Sequence, residues 1–257
     1  MMGKVLAMMN EKGGVGKSAL TFSCAWYMAE QGKNVLLVDM DGQMANLTYL
    51  AGVKTDEMST KTVADILMRD ADPAECIESV TGDLAGRLDL IPATVQMAAL
   101  PSTAKISKMK KTMRVLAGKY DYVFLDVNPS PDWRHALTLS VLDGICIVML
   151  PDIVSLEANR GIFDSIEEVR EGTNTELQIL GFVLNQFDTR TRLSRAVVDK
   201  AAEMADLCGS SMLQTKVRKT VVMPESATAH VGVTAYAPKA PVADDIRQLA
   251  DELMARI

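Results

Sequence analysis

Residues 10–19 read NEKGGVGKSA. They carry three glycines (Gly13, Gly14, Gly16), then Lys17 and Ser18, between an apolar β-type run and an apolar helical one. That arrangement lets backbone N–H groups turn inward around phosphate oxygens. The start of the following helix adds its positive end. An ammonium at Lys17 can reach β- and γ-phosphates, and the Ser18 hydroxyl can hold Mg2+. The loop departs from G-x-x-x-x-G-K-[ST] at one position, where Glu11 replaces the first glycine. It also carries a second lysine, Lys12, that a single phosphate loop does not need.

Carboxylates follow at strand ends. The run NVLLVD (34–39) leads into MDGQMANLT, which places Asp39 and Asp41 just past an apolar strand. The run YDYVFLD ends four consecutive apolar residues on Asp126. A carboxylate at the end of a buried strand is costly unless a cation meets it. Mg2+, bound directly or through its water, is such a partner. Asn185 closes another apolar run, where it either contacts a nucleotide base or simply ends the strand.

The elements that must position these groups are legible as an alternation. Strands are expected at 3–9, 34–39, 88–91, 121–126, 144–150 and 178–184, read as nearly continuous apolar runs of the kind found when both faces are covered. Helices are expected at 17–31, 96–117, 133–142, 156–171, 192–208 and 241–256, with a helical piece near 62–69 in the otherwise polar stretch 52–87. The βαβα order implies one α/β domain: a twisted, mostly parallel sheet with helices on both faces and ligands at the carboxyl ends of the strands.

The chain has 257 residues, four cysteines, two histidines and a net charge of −6. The cysteines form no C-x-x-C pair, and two histidines cannot build a His-based metal cluster. No apolar run approaches the length needed to span a bilayer, and no secretory leader is visible. A cytoplasmic protein is expected, with no membrane partner.

The sequence K-G-G-V-G-K-S, opened by a lysine, resembles the deviant Walker-A P-loop ATPases, including the ParA and MinD branches. Asn10-Glu11-Lys12 is more similar to the ParA branch. The resemblance covers nearly the whole chain and implies an ATPase that is weak alone and stimulated by a partner, with ATP and Mg2+ as cofactors. It implies that Gly13, Gly14, Val15, Gly16, Lys17, Ser18 and Ala19 bind the nucleotide, Ala19 standing where many relatives have a second threonine, and that Asn185 contacts adenine. Lys12 would act in trans across a nucleotide-sandwich homodimer, in the role of an arginine finger. Asp41 would orient the attacking water. Mg2+ would be held by Ser18 and Asp126 with support from Asp39, and switch II would be 127–131, with Asn128 replacing a proline.

The resemblance also implies nonspecific DNA binding by the dimer through Arg190, Arg192 and Arg195 and through Lys216, Arg218 and Lys219. Guanidinium and ammonium groups facing phosphates give salt-sensitive, sequence-blind affinity. A ParB-type centromere-binding adaptor, presenting a short basic segment, is the implied partner, and plasmid or chromosome partition at the nucleoid the implied function. The first strand begins at once, so no N-terminal helix-turn-helix is expected. A third basic run holds Lys105, Lys108, Lys110, Lys111, Arg114 and Lys119 with no acid, on a helix that is either a solvated face or a binding surface. The alternative function is a MinD-like membrane-cycling or protein-cargo positioning ATPase. The tail DDIRQLADELMARI is acidic and argues against lipid. A metal-cluster reductase is excluded, because residues 126–142 contain no cysteine.

Overall fold

The computed structural model describes residues 2–41, 47–56, 59–80, 82–95, 97, 106–127, 129, 132–152, 160–188 and 192–257. Among them, eight strands form one sheet in the order β3-β4-β2-β5-β1-β6-β7-β8. They are β1 Lys4–Met9, β2 Asn34–Asp39, β3 Glu78–Ser79, β4 Arg87–Ile91, β5 Tyr122–Asp126, β6 Gly144–Met149, β7 Gln178–Phe187 and β8 Met212–Arg218. Every pairing is parallel except that of β3 with β4. The helices are α1 Lys17–Glu30, α2 Leu47–Leu50, α3 Val63–Arg69, α4 Ile106–Ala117, α5 Trp133–Leu139, α6 Arg160–Gly172, α7 Arg192–Leu207, α8 Val222–Thr228, α9 Val233–Tyr236 and α10 Pro241–Ala255.

Strand periodicity divides the interior in two. In β1, Val5, Ala7 and Met9 pack with Met113 of α4, Leu137 of α5, Ile162 of α6 and Val197 of α7. Leu6 and Met8 point the other way, toward Leu20 and Trp26 of α1 and Ile246 and Leu249 of α10. Both faces of the central strands are therefore dry, which is why their sequences are apolar without alternation. Helix α1 is buried on nearly all sides, lying between the sheet and α10.

All six expected strands are present, with shifts at their ends. Strand β7 runs to Phe187, three residues past the expected end. Helix α5 stops at Leu139 rather than 142, because Asn174 Nδ2 donates to the carbonyls of Leu139 and Leu142 at 2.9 and 2.8 Å and closes the turn. The helices expected from 96 and 156 are described from Ile106 and Arg160; residues 98–105 and 153–159 lie outside the described set. Strands β3 and β8 and helices α2, α8 and α9 were not anticipated.

Strand β8 forms one edge of the sheet, and α10 closes it. Between the pairs Phe182–Met212 and Leu184–Lys216, β7 advances two residues and β8 four. The surplus turns consecutive N–H groups outward. Glu252 accepts both, from Gln214 N at 2.9 Å and Thr215 N at 3.2 Å, together with the Thr215 hydroxyl at 3.0 Å. Asp245 accepts Arg218 N at 3.0 Å and holds its guanidinium at 2.6 and 2.7 Å. Glu252 and Asp245 of the acidic tail thus serve as edge caps, and the apolar residues of α10, Val242, Ile246, Leu249 and Leu253, are buried. Glu252→Ala is expected to cost about 1–3 kcal/mol, since it strands polar groups of a half-buried edge. Urea unfolding checks this, and Glu252→Gln should lose less because it keeps an acceptor.

Candidate nucleotide site at the carboxyl edge of the sheet

The loop 10–16 leaves β1 at the carboxyl edge of the sheet and is pinned from below. Asn10 is buried; its Nδ2 donates to Val148 O of β6 at 2.6 Å, and its Oδ1 accepts Lys12 N at 2.6 Å. Gly14 and Gly16 adopt left-handed φ of 75° and 93°, which a side chain would resist. Asn185 Nδ2 donates to Val15 O at 2.7 Å, and a Cβ on Gly16 would lie 2.4 Å from that nitrogen. Gln186, itself at φ 55°, donates to Gly14 O at 3.3 Å. The far end of β7 thus holds two loop carbonyls. Asn185 is buried beneath the loop, with its amide nitrogen donating to Val15 O.

Glu11 sits where the generic motif has glycine. Its Oε2 lies so close to Gly161 of α6 that a Cβ there would be 2.4 Å away. Burial, and then Asp164, raises its pKa. Lys17 is buried in the loop and donates to the Lys12 carbonyl at 3.4 Å. Burial lowers the pKa of its ammonium, while Asp126 and Asp41 oppose that shift. The Lys12 side chain takes another direction: its Nζ lies 3.6 Å from Asp152 Oδ2, and the side chain is 36% exposed.

Asp39 and Asp126 are register partners in β2 and β5, and both are buried. Asp39 Oδ1 accepts Asp41 N at 2.9 Å, and its Oδ2 accepts both Thr48 N and Thr48 Oγ1, at 2.8 and 2.5 Å. Burial, and then Asp126, drives its pKa well above the usual carboxylate range. Asp126 is pushed up to about 6 by burial, against the Ser18 hydroxyl and Lys17. Its Oδ1 has no hydrogen-bond partner. Asp126, dry and opposite Asp39 in register, faces the buried ammonium of Lys17 and leaves room for further positive charge, and a divalent cation beside Ser18 would fit its orphaned oxygen.

Sequence reasoning missed His135. It is buried on α5 with both ring nitrogens unpartnered, and burial lowers its pKa to about 4, with Lys17 adding to the effect and Asp132 opposing it. A lone histidine carries no local signal of this kind. Of the basic residues, Lys216, Arg218 and Lys219 gather at the end of β8, lining a cleft of about 460 Å3 with Phe187 and Gln248. Arg218 is engaged by Asp245 rather than presented alone. Arg190, the side chains of Arg192 and Arg195, and Asn128 lie outside the described residues.

Residues 3–179 match a family model described as an AAA domain. The chain is 32% identical to the chromosome-partitioning ATPase Soj of Thermus thermophilus, over 98% of this chain and 96% of that protein. It is 30% identical to the sporulation initiation inhibitor protein Soj of Bacillus subtilis, over 99% of both. Cobyrinic acid a,c-diamide synthase from Mycobacterium smegmatis, with bound ATP analog and magnesium, has the same fold at TM-score 0.83 and 25% identity, over 98% of this chain and 94% of that one. The chain belongs to the ParA/MinD-type P-loop ATPases, a family that works in partitioning or positioning.

Asp126 yields a prediction about stability. Its folded pKa of about 6 exceeds its ordinary 3.8, so the folded state binds the extra proton between those values. Stability contributed by this group therefore falls as pH rises from about 4 to 6 and stays reduced above, by on the order of 3 kcal/mol. Asp126→Asn should make the nucleotide-free protein more stable than wild type at pH 8, with the gap closing near pH 4. The same substitution should abolish Mg2+-dependent ATP hydrolysis. Thermal unfolding in EDTA across pH, together with a phosphate-release assay, measures both.

Proposed function

We propose that this chain closes into an ATP-bound homodimer, binds DNA without sequence preference in that state, and partitions a plasmid or chromosome. The observation that carries the reading is the divergence of its two loop lysines. Lys17 is buried within its own loop, while Lys12 turns outward to Asp152 at the surface. An ammonium aimed away from its own phosphate loop supports a role in a second subunit's site.

Bound MgATP would supply the phosphoryl group and counter charge on its oxygens. Residues Gly13 to Ala19 would cradle the phosphates through their backbone, and Lys17 would meet the β- and γ-oxygens. Ser18 and Asp126 would hold Mg2+. Asp39 supports them by fixing the Asp41 N–H and Thr48, and Asp41 would orient the attacking water. Lys12, reaching across the dimer, would stabilise charge that develops in the transition state.

DNA would meet the same edge of the sheet. Strand β8 lies three positions from β1, a lateral distance of about 14 Å. Lys216, 5.6 Å over the Phe187 ring, and the exposed Lys219 would contribute more phosphate affinity than Arg218, whose charge Asp245 partly neutralises. Arg190, Arg192 and Arg195 would add further phosphate contacts, and a ParB-type adaptor would stimulate turnover and release.

Lys12→Gln should bind ATP normally but lose the dimer, turnover, or both. Light scattering with MgATP reads the first and phosphate release the second; a normal dimer with normal turnover refutes the trans role. For DNA, random-sequence duplex should bind only with ATP, and each phosphate contact should add roughly −0.9 to the slope of log K against log salt. Lys219→Glu should weaken every sequence alike and leave ATP affinity unchanged. Tight binding without nucleotide, or none with it, defeats the reading.

A further inference from the structure

At the opposite, amino end of the sheet is a cleft of about 320 Å3 where α4, the start of β1 and the turn before β6 meet. Six residues of β1 separate it from the nucleotide loop, about 20 Å, so it is no part of the site above. Its rim carries Lys4, Lys110 and Arg114, and its floor includes the buried Met113.

Among the described residues, the one carboxylate that lines it, Asp143, already accepts Val5 N at 2.7 Å through Oδ2. Asn174, also on the wall, uses its amide nitrogen to close α5. Lys110 Nζ donates to the Thr173 carbonyl just past α6, which fixes the ammonium at the rim. Lys108 on the same helix is neutralised by Asp70 at 2.6 Å. Lys110 and Arg114, in contrast, make no ion pair with any described residue. They stand four apart on α4, a like-charge spacing that weakens a helix. A protein of net charge −6 thus maintains a walled cationic notch with an apolar floor.

We propose that this cleft docks an acidic peptide segment of a partner protein, with carboxylates on the Lys4–Lys110–Arg114 rim and an apolar side chain over Met113. The notch is concave and held by backbone and side-chain hydrogen bonds, so little ordering is required on binding. A DNA duplex is a broad convex rod that meets protruding cations more readily than recessed ones. A basic adaptor segment would be repelled here, so the partner differs from the one expected at the nucleotide dimer.

The test uses the full chain and a fluorescein-labelled hexapeptide of four glutamates and two leucines, against the same peptide with glutamine for glutamate, by anisotropy at low salt. Wild type should prefer the acidic peptide roughly tenfold or more, with the preference lost in high salt. Lys110→Glu and the milder Arg114→Gln should each weaken it, with MgATP affinity and circular dichroism unchanged. Equal binding of the two peptides by wild type overturns the proposal, as does undiminished acidic-peptide binding by both variants. So does loss of duplex binding by these variants while peptide binding persists.

Discussion

Two carboxylates cannot share a dry strand edge with a single ammonium and be electrically satisfied. Asp39 and Asp126 do so in β2 and β5, opposite each other in register, with Lys17 beside Asp126. Thr48 and the Asp41 N–H satisfy Asp39, which leaves the deficit concentrated on one oxygen of Asp126. The strand order β2-β5-β1 is what brings both acids next to the glycine loop. The loop in turn keeps its shape because β6 holds Asn10 and β7 holds Val15 and Gly14. The site is therefore short of positive charge at Asp126 and geometrically braced, so that phosphate and a divalent cation would complete a charge pattern already laid down.

How much of this was readable in the sequence follows from how far apart the interacting residues are. The central strands were legible because burial on both faces makes each an unbroken apolar run, and Lys17, Ser18 and Asp126 because their motifs are local. Strand β8, MLQTKVR, was not. Its inward and outward residues alternate, and the charges along it suggest a surface patch until Asp245 and Glu252, about one helix further on, are seen to close its edge. The bond from Asn185 to Val15 spans 170 positions, so no window could reveal that this strand-ending residue braces the loop. Glu11 was visible only as a departure from a pattern; the glycine that accommodates it, Gly161, lies on α6.

The closure of β8 bears on how copies of this chain can associate. A sheet edge with unpaired N–H groups invites strand addition, the backbone-to-backbone joining that gives protein fibres their resistance to salt and detergent. Here Glu252 and Asp245 already occupy the outward groups of Gln214, Thr215 and Arg218. A second copy would have to displace these carboxylates before those N–H groups could join a ladder. At this edge, association between copies would run through side chains rather than through a continued backbone ladder.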